Sequence, residues 1–350
     1  MKYSKVFIES IGYEIAPVVV SSAELEHRLG ELYRALHISE GQLEALTGIV
    51  ERRWWEEGYR LSDGAYAAAR RALESARLPV EQLDLLIYAG VCREQFEPAT
   101  ACRVGALLGV GPETVIHDVS NACLGVLTGM VDVANRIELG QIRAGMVVSC
   151  ETAREINEIV IDQMLDNQSM DFFKQSLATL TGGSGAVAVL LSDGSFSGSK
   201  RRRLLGGASR SASQHHGLCR WGIEETEPGD PSRYHQFTST DAASVLTHGV
   251  ELGKDTWRDF TRSLGWRDRQ LDKVICHQVG SSHRDTILRS LGIPESKDFS
   301  TFAYLGNMGT VSLPMTAALA DDRAFLQPGD RVALLGIGSG LNCMMLGVEW

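Results

Sequence analysis

The chain has 350 residues, of which 44% are apolar and 22% charged, and its formal charge is −10. Nucleic-acid-binding proteins carry clustered lysine and arginine, so this acidic balance argues against that class, and the one basic run, Lys200–Arg203, is too short to change it. No apolar stretch approaches the roughly 20 residues of a membrane helix, and the N-terminus lacks the apolar core of a signal peptide. The composition predicts a globular protein without a membrane span.

The seven cysteines are odd in number and scattered, and no two of them form a C-x-x-C pair. This pattern predicts neither a zinc site nor a disulfide framework. We therefore expect a cytoplasmic protein with reduced thiols and no bound metal or cofactor.

Short apolar runs alternate with helical patterns along the whole chain. The runs are Leu85–Ala89, Val115–Val119, Gly145–Ser149, Ala186–Leu191, Lys273–Cys276, Arg331–Leu335 and Met344–Val348. Continuous apolar strands between helices are typical of a sheet that is covered on both faces, so the sequence predicts a layered α/β fold.

Two segments depart from this alternation. Apolar residues recur at helical spacing from about Thr152 to Thr181, which predicts a helical excursion over one face of the sheet or, equally well, an ordinary crossover helix pair. Ser211–Arg233 is polar and rich in turn residues, and we interpret it as a long surface loop.

The two halves of the chain resemble each other. The strand that begins at Asp84 is followed 39 residues later by Cys123 and an apolar helix, and the strand that begins at Asp272 is followed 35 residues later by Asn307 and another apolar helix. This internal repeat predicts equivalent positions for Cys123 and Asn307, although two βαβ units can also match by chance.

Cys123 lies where the predicted strand Val115–Val119 passes through a tight turn into a helix. A thiol at a helix N-terminus is favoured as a thiolate, and the free N–H groups there can hold an oxyanion. From this segment alone, a nucleophile and a buried structural cysteine are equally good interpretations.

Three further segments carry polar groups at the ends of predicted strands. His277 follows a strand at its carboxyl end, where open α/β folds place their sites, although a lone histidine is more often structural. Asn307 lies between Gly306 and Gly309 and is either an exposed amide or a helix cap. The glycine-rich turn Gly336–Gly340 precedes a strand rather than a helix, so it is a poor nucleotide-binding loop and a better source of backbone N–H groups.

Together these segments resemble the Cys-His-Asn signature of the thiolase superfamily, most closely its ketoacyl-synthase III branch and, within it, the OleA-type enzymes that join two fatty acyl-CoA chains head to head. The resemblance covers the chain from about Phe7 to Trp350. Its segments are Thr47–Arg53, Cys92–Thr100, Asn121–Gly125, Thr181–Ala186, His277–Val279, Gly306–Gly309 and Leu335–Cys343.

The resemblance implies a five-layered αβαβα fold of two pseudo-symmetric halves, which we place at residues 1–194 and 195–350, working as a homodimer. It implies an acyltransferase with acyl-CoA or acyl carrier protein substrates. The reaction would be a non-decarboxylative Claisen condensation that gives a β-ketoacyl product for olefin or long-chain ketone formation.

The resemblance also assigns roles to residues. Cys123 would carry the first acyl group, His277 and Asn307 would hold the second thioester oxygen, and the amides of Cys123 and Ser339 would form an oxyanion hole. Glu97, donated by the partner subunit, would take the α-proton, because an unactivated acyl-CoA needs a positioned base; without the resemblance, Glu97 is an ordinary surface glutamate.

Substrate contacts are expected from Gly309, Gly338 and Arg284, with Arg284 or the Lys200–Arg203 run supplying phosphate contacts. For that run a solvated strand edge is the simpler interpretation. Gly336 stands where degradative thiolases have a second catalytic cysteine, which disfavours thiolytic cleavage.

Other activities remain open on the sequence. The same residues serve a synthase that uses a malonyl extender with decarboxylation, an acyltransferase to a small acceptor, or a thioesterase. A non-catalytic partner subunit or scaffold is a further alternative, which the intact Cys-His-Asn set argues against.

Overall fold

The computed structural model describes residues 1–196, 202–225, 234–266 and 270–350. The strands are β1 (Phe7–Ile15), β2 (Val18–Ser21), β3 (Glu51–Trp54), β4 (Leu85–Ala89), β5 (Val115–Val119), β6 (Ala144–Glu151), β7 (Gly185–Ser192), β8 (Arg202–Ser211), β9 (Cys219–Glu225), β10 (Tyr234–Thr240), β11 (Lys273–Cys276), β12 (Arg331–Gly338) and β13 (Asn342–Glu349).

The helices alternate with these strands, and short 3-10 turns lie at several of their ends. The α-helices are α1 (Ser22–Arg28), α2 (Gly30–Ala35), α3 (Gln42–Thr47), α4 (Leu61–Ala76), α5 (Thr100–Leu108), α6 (Gly125–Glu138), α7 (Arg154–Asn167), α8 (Met170–Ser176), α9 (Ala242–Leu264), α10 (Ser281–Leu291), α11 (Phe302–Leu305) and α12 (Ser312–Asp322).

Nine strands form one mixed sheet in the order β11-β12-β13-β8-β1-β7-β6-β4-β5. Its two halves repeat one pattern, since β4 and β6 are parallel and β6 and β7 antiparallel, while β11 and β12 are parallel and β12 and β13 antiparallel. The counterpart of β5 in the second half is a single parallel bridge between Val274 and Asp298. The halves join where β1 pairs with β8.

Three apolar cores separate the layers. The central core contains α6 and α12 between the two half-sheets. A second core packs α4 and α5 on the outer face of the first half-sheet, and a third packs α9 and α10 on the outer face of the second. This arrangement confirms the predicted five-layered αβαβα fold, and the predicted boundary at residues 194 and 195 stays a prediction.

Close approach of α4 to the sheet depends on small side chains. Ala65, Ala68, Ala69 and Ala72 are fully buried on α4. A Cβ at Gly12 on β1 would lie 2.1 Å from the Ala68 carbonyl oxygen, so this position has room only for glycine. The alanine stripe therefore sets the spacing between the outer helical layer and the first half-sheet.

The segment around residues 152–181 is helical as predicted, but it does not cover the sheet. Helices α7 and α8 pack their apolar residues against α1, α2, α3 and the small β2–β3 sheet, forming a separate core. The prediction was wrong because apolar periodicity shows that a helix has a buried face and does not show what covers it.

The interpretation of Ser211–Arg233 as a surface loop was also wrong for its described part. Residue Ser211 ends β8, and β9 pairs antiparallel with β10 in a two-stranded sheet. Residues 226–233 lie outside the described residues. Thr238 on β10 shares a 2.8 Å hydrogen bond with Thr179, which attaches this hairpin to the α8 region.

Within the described part of the chain, no helix combines the length and the apolar character needed to cross a membrane. The same residues contain no cluster of three or more histidine, cysteine or acidic side chains suited to a metal ion.

Candidate active site

Cys123 lies in a 3-10 turn, Ala122–Leu124, between β5 and α6. Ala122 has a positive φ of 44°, which is unfavourable for a residue with a Cβ, and such strain often occurs at functional turns. The Leu124 N–H closes the turn on the Asn121 carbonyl oxygen at 2.9 Å. The turn leaves Cys123 half-buried at the end of the central helix.

The expectation of a resting thiolate at Cys123 was wrong. Burial, together with the nearby Cys219 and Glu151, raises the pKa of the Cys123 thiol to about 12. Because burial disfavours the charged form, the thiol is protonated at neutral pH.

The C-terminal glycine turn lies beside the Cys123 backbone. A Cβ at Gly338 would lie 3.4 Å from the Cys123 nitrogen. Asn342, just after the turn, donates from Nδ2 to Oδ1 of Asn121 at 3.1 Å. The fold thus brings Gly338 beside the Cys123 backbone, while the oxyanion role of the Ser339 amide stays a prediction.

Asn307 is held by its backbone and oriented by its side chain. Its N–H donates to the Thr181 carbonyl oxygen, and its own carbonyl oxygen accepts from the Gly183 N–H, each at 2.9 Å. Its Oδ1 accepts from the Gly309 N–H at 3.0 Å. Because Oδ1 accepts this bond, the NH₂ group of the Asn307 amide is left to donate to another partner. The Gly309 N–H thereby fixes the orientation of the amide.

The turns of Cys123 and Asn307 are joined directly. Asn307 precedes the 3-10 turn Gly309–Val311 that leads into α12, as Cys123 precedes α6. Thr310 Oγ1 accepts a 2.7 Å hydrogen bond from the Val126 N–H in the first turn of α6. The two turns therefore meet in the central layer, but the predicted equivalence of Cys123 and Asn307 was wrong. Cys123 is the middle residue of its 3-10 turn, whereas Asn307 precedes its turn and Thr310 is the residue that matches Cys123.

His277 follows β11 at the same edge of the sheet. Its N–H donates to the Leu335 carbonyl oxygen at 2.9 Å, next to the glycine turn, and the residue is only 5% exposed. Burial and then the neighbouring His283 lower the pKa of His277 to about 3. The ring is therefore neutral at any physiological pH.

Glu151 is a buried carboxylate at this edge that the sequence reasoning missed. It ends β6 and accepts hydrogen bonds from the N–H groups of Val91 at 2.9 Å and Cys92 at 3.0 Å. A Cβ at Gly309 would lie 3.5 Å from its carboxyl carbon, and burial raises the pKa of Glu151. The available signal was an acidic residue that ends a continuously apolar strand.

Glu97 lies on the loop between β4 and α5. Near the start of this loop, Val91 donates its N–H to Glu151. The Glu97 side chain is exposed, and the preceding Phe96 is 90% exposed. The donation of Glu97 to a second subunit stays a prediction.

Arg284 has other partners than the expected phosphate. Its Nε donates to Asp298 at 2.6 Å, and its guanidinium also pairs with Asp285 and Glu295. Because three carboxylates already neutralise this group, the expected substrate contact is not supported.

The basic run is also structural where it is described. Lys200 and Arg201 lie outside the described residues. Arg202 is buried, pairs with Asp321 and lies over the Trp350 ring, and only Arg203 forms an exposed pair, with Glu349. The interpretation as a solvated strand edge was wrong for Arg202, because β8 lies inside the nine-stranded sheet.

Comparison with known proteins gives consistent matches over the full length. The family described as 3-oxoacyl-[acyl-carrier-protein (ACP)] synthase III C terminal matches residues 262–350. An acyl-CoA:acyl-CoA alkyltransferase of Shewanella oneidensis is 58% identical, and one of Xanthomonas campestris is 34% identical, each over 100% of both chains.

A solved structure of Xanthomonas campestris OleA, a cysteine-to-serine variant with bound lauric acid and lauroyl-CoA, has the same fold. It superimposes with a TM-score of 0.90 at 35% identity and covers 99% of this chain and 100% of its own.

Proposed function

The chain belongs to the acyl-CoA:acyl-CoA alkyltransferases of the ketoacyl-synthase III branch, and on this premise we propose that it condenses two fatty acyl-CoA molecules head to head without decarboxylation. The observation that carries the proposal is the convergence of two turns on the backbone around Cys123. Thr310 of the Asn307 turn bonds to α6, and Gly338 of the glycine turn lies beside the Cys123 nitrogen.

In the first half-reaction Cys123 attacks the first thioester carbonyl. The thiol is protonated at rest, so its proton leaves as the C–S bond forms and passes to the sulfur of the departing CoA. The tetrahedral oxyanion is held by the amides of Cys123 and Ser339. The bond to the CoA sulfur then breaks, and that sulfur takes the proton from Cys123 and leaves as the CoA thiol.

In the second half-reaction the neutral Nε2–H of His277 and the NH₂ of Asn307 hold the carbonyl oxygen of the second acyl-CoA. Glu97 removes the α-proton, and the resulting enolate carbon attacks the acyl group on Cys123. The C–S bond to Cys123 breaks, and Glu97 returns its proton to the sulfur. The β-ketoacyl-CoA product suits olefin or long-chain ketone formation.

The protein works as a homodimer in which each subunit lends Glu97 to its partner. Support comes from the exposed position of Glu97 and from its neighbour Phe96, a large ring left open on one chain. We place the enzyme in the cytoplasm, where its free cysteines stay reduced.

The test is a product assay with two acyl-CoAs of different chain length and no malonyl donor. We expect mixed β-ketoacyl products, and a parallel assay with the same chains on acyl carrier protein identifies the carrier. Product that appears only with a malonyl donor and with release of carbon dioxide would establish the decarboxylative alternative. Free fatty acid without a new C–C bond would establish a thioesterase.

A further inference from the structure

A small cavity lies beside His277. Its volume is about 20 Å³, and it is lined by His277, His283 on α10, Gly249 and Gly253 on α9, and apolar side chains that include Ile287 and Ile337. A Cβ at Gly253 would lie 3.0 Å from Ile287 Cδ1, so the two glycines leave the space that a larger residue would fill. None of the proposed catalytic steps uses this cavity.

Both histidines have a buried ring nitrogen to satisfy. Within the described residues, Nδ1 of His277 and Nδ1 of His283 have no hydrogen-bond partner, and His277 is only 5% exposed. Leaving such a polar atom unpaired in the interior is destabilising, because the hydrogen bond it made with water is not replaced. Two unpaired nitrogens on the walls of one cavity point to a shared small ligand with both donor and acceptor capacity.

The dimensions fit water. A site needs roughly 10–15 Å³ and two or more polar partners to hold one water molecule, and this cavity provides both. Burial lowers the pKa of His277 to about 3 and that of His283 to about 4, so both rings are neutral and each offers one N–H and one bare nitrogen.

We propose that one ordered water in this cavity bridges Nδ1 of His283 and Nδ1 of His277, and that His283 is thereby a positioning residue for the condensation. His283 donates from Nδ1 to the water, and the water donates to Nδ1 of His277. The proton of His277 is then on Nε2, which makes that atom the donor that the second half-reaction needs. The direction of donation rests on the proposed function of His277.

The test compares His283→Leu, which removes the polar partner, with His283→Gln, which keeps one. We expect His283→Leu to lower kcat about 10- to 100-fold with little change in KM, the range found when an outer partner of an oriented histidine is lost. His283→Gln retains most of the activity, and His27→Leu, the same change at an exposed histidine on α1, has no effect.

A second readout separates positioning from a purely structural role. ¹⁵N NMR of histidine-labelled protein should show the proton of His277 on Nε2, with mixed tautomers in His283→Leu, and a crystal structure should show density between the two Nδ1 atoms. A proton on Nδ1 of His277, an empty cavity in the crystal, or full turnover by His283→Leu would overturn the proposal. If Cys123 is never acylated, the proposed function is wrong. The tautomer of His277 and the electron density in the cavity still test the bridging water independently.

Discussion

The hydroxyl of Thr310 accepts a 2.7 Å hydrogen bond from the Val126 N–H, and this bond ties the second half of the molecule to α6, the helix that follows Cys123. Each partner belongs to one of the two repeated units. The bond therefore fixes how the Asn307 turn lies against the Cys123 turn.

Replacing this hydroxyl tests the connection. Thr310→Val keeps the side-chain shape but leaves the buried Val126 N–H unpaired, so we expect a loss of about 1–3 kcal/mol in the free energy of unfolding. Condensation should also slow, because the two turns lose their common fixed point. Thr310→Ser keeps the hydroxyl and should behave nearly as the wild type in urea unfolding and turnover, and equal stability of the Val and Ser variants would contradict this account.

Glu151 should suppress the resting reactivity of Cys123. Burial is the main reason for the raised pKa of the thiol, and the charge of Glu151 adds to it, so Glu151→Gln should lower that pKa. We expect alkylation of Cys123 by iodoacetamide at pH 8 to become about two- to fivefold faster, since reactivity follows the thiolate fraction.

Glu155→Gln is the matched control, because Glu155 is exposed on α7. It should leave the alkylation rate unchanged. An unchanged or slower rate in Glu151→Gln would show that this carboxylate does not influence the thiol.

Stability should fall in mild acid because of His277 and His283, whose Nδ1 atoms are both buried. The pKa values of His277 and His283 are lowered to about 3 and about 4 in the folded state, so between pH 4 and 6.5 the unfolded state binds more protons. Their contribution is complete above pH 6.5 and is lost as the pH falls. Each histidine should account for about 2 kcal/mol of the stability lost between pH 7 and pH 5.

Urea unfolding at both pH values and at fixed protein concentration measures this loss. His283→Gln removes one of the two groups and should lose about 2 kcal/mol less than the wild type over that range. His27→Gln, at an exposed histidine, should lose as much as the wild type. Identical losses in wild type and His283→Gln would mean that His283 is not buried in the neutral form.

Mixed dimers decide which chain supplies the base. Cys123→Ala and Glu97→Ala homodimers should both be inactive in condensation. The two variants, separately tagged, are co-expressed so that heterodimers can be purified. If Glu97 acts across the interface, one site of each heterodimer has both Cys123 and Glu97. These heterodimers should then recover about half of the wild-type rate per dimer. Heterodimers as inactive as either parent would place Glu97 in its own chain's site or outside the reaction.

Three strands could be predicted from the sequence because each is a short, mainly apolar run, continuously buried in β4 and largely buried in β11, although β5 has no fully buried residue. Strands β4, β5 and β11 begin and end where the apolar runs Leu85–Ala89, Val115–Val119 and Lys273–Cys276 do. The β9–β10 hairpin gave no such signal, because most of β9 is exposed and charged side chains end it. A strand without a buried face shows no regular alternation of apolar and polar residues from which it could be predicted.

The site residues also divide into those that the sequence indicated and those that only the folded structure brings together. The resemblance to the ketoacyl-synthase III branch singled out Cys123, His277 and Asn307, whereas the raised pKa of Cys123 arises from burial and from Cys219 and Glu151, which are distant in the sequence. His283 and Glu151 carried no motif, since their surroundings arise only when α10 and β6 take their places in the fold. Arg284 was misinterpreted because its carboxylate partner Asp298 is 14 residues away.

The central claim is that Cys123, protonated at rest, carries the first acyl chain. Intact-protein mass spectrometry after mixing with a panel of acyl-CoAs tests it most directly, with Cys219→Ala as the matched control for a neighbouring thiol. We expect a gain of one acyl group in the wild type and in Cys219→Ala, and none in Cys123→Ala. An unmodified wild type, or an acyl group that remains in Cys123→Ala, would contradict the mechanism.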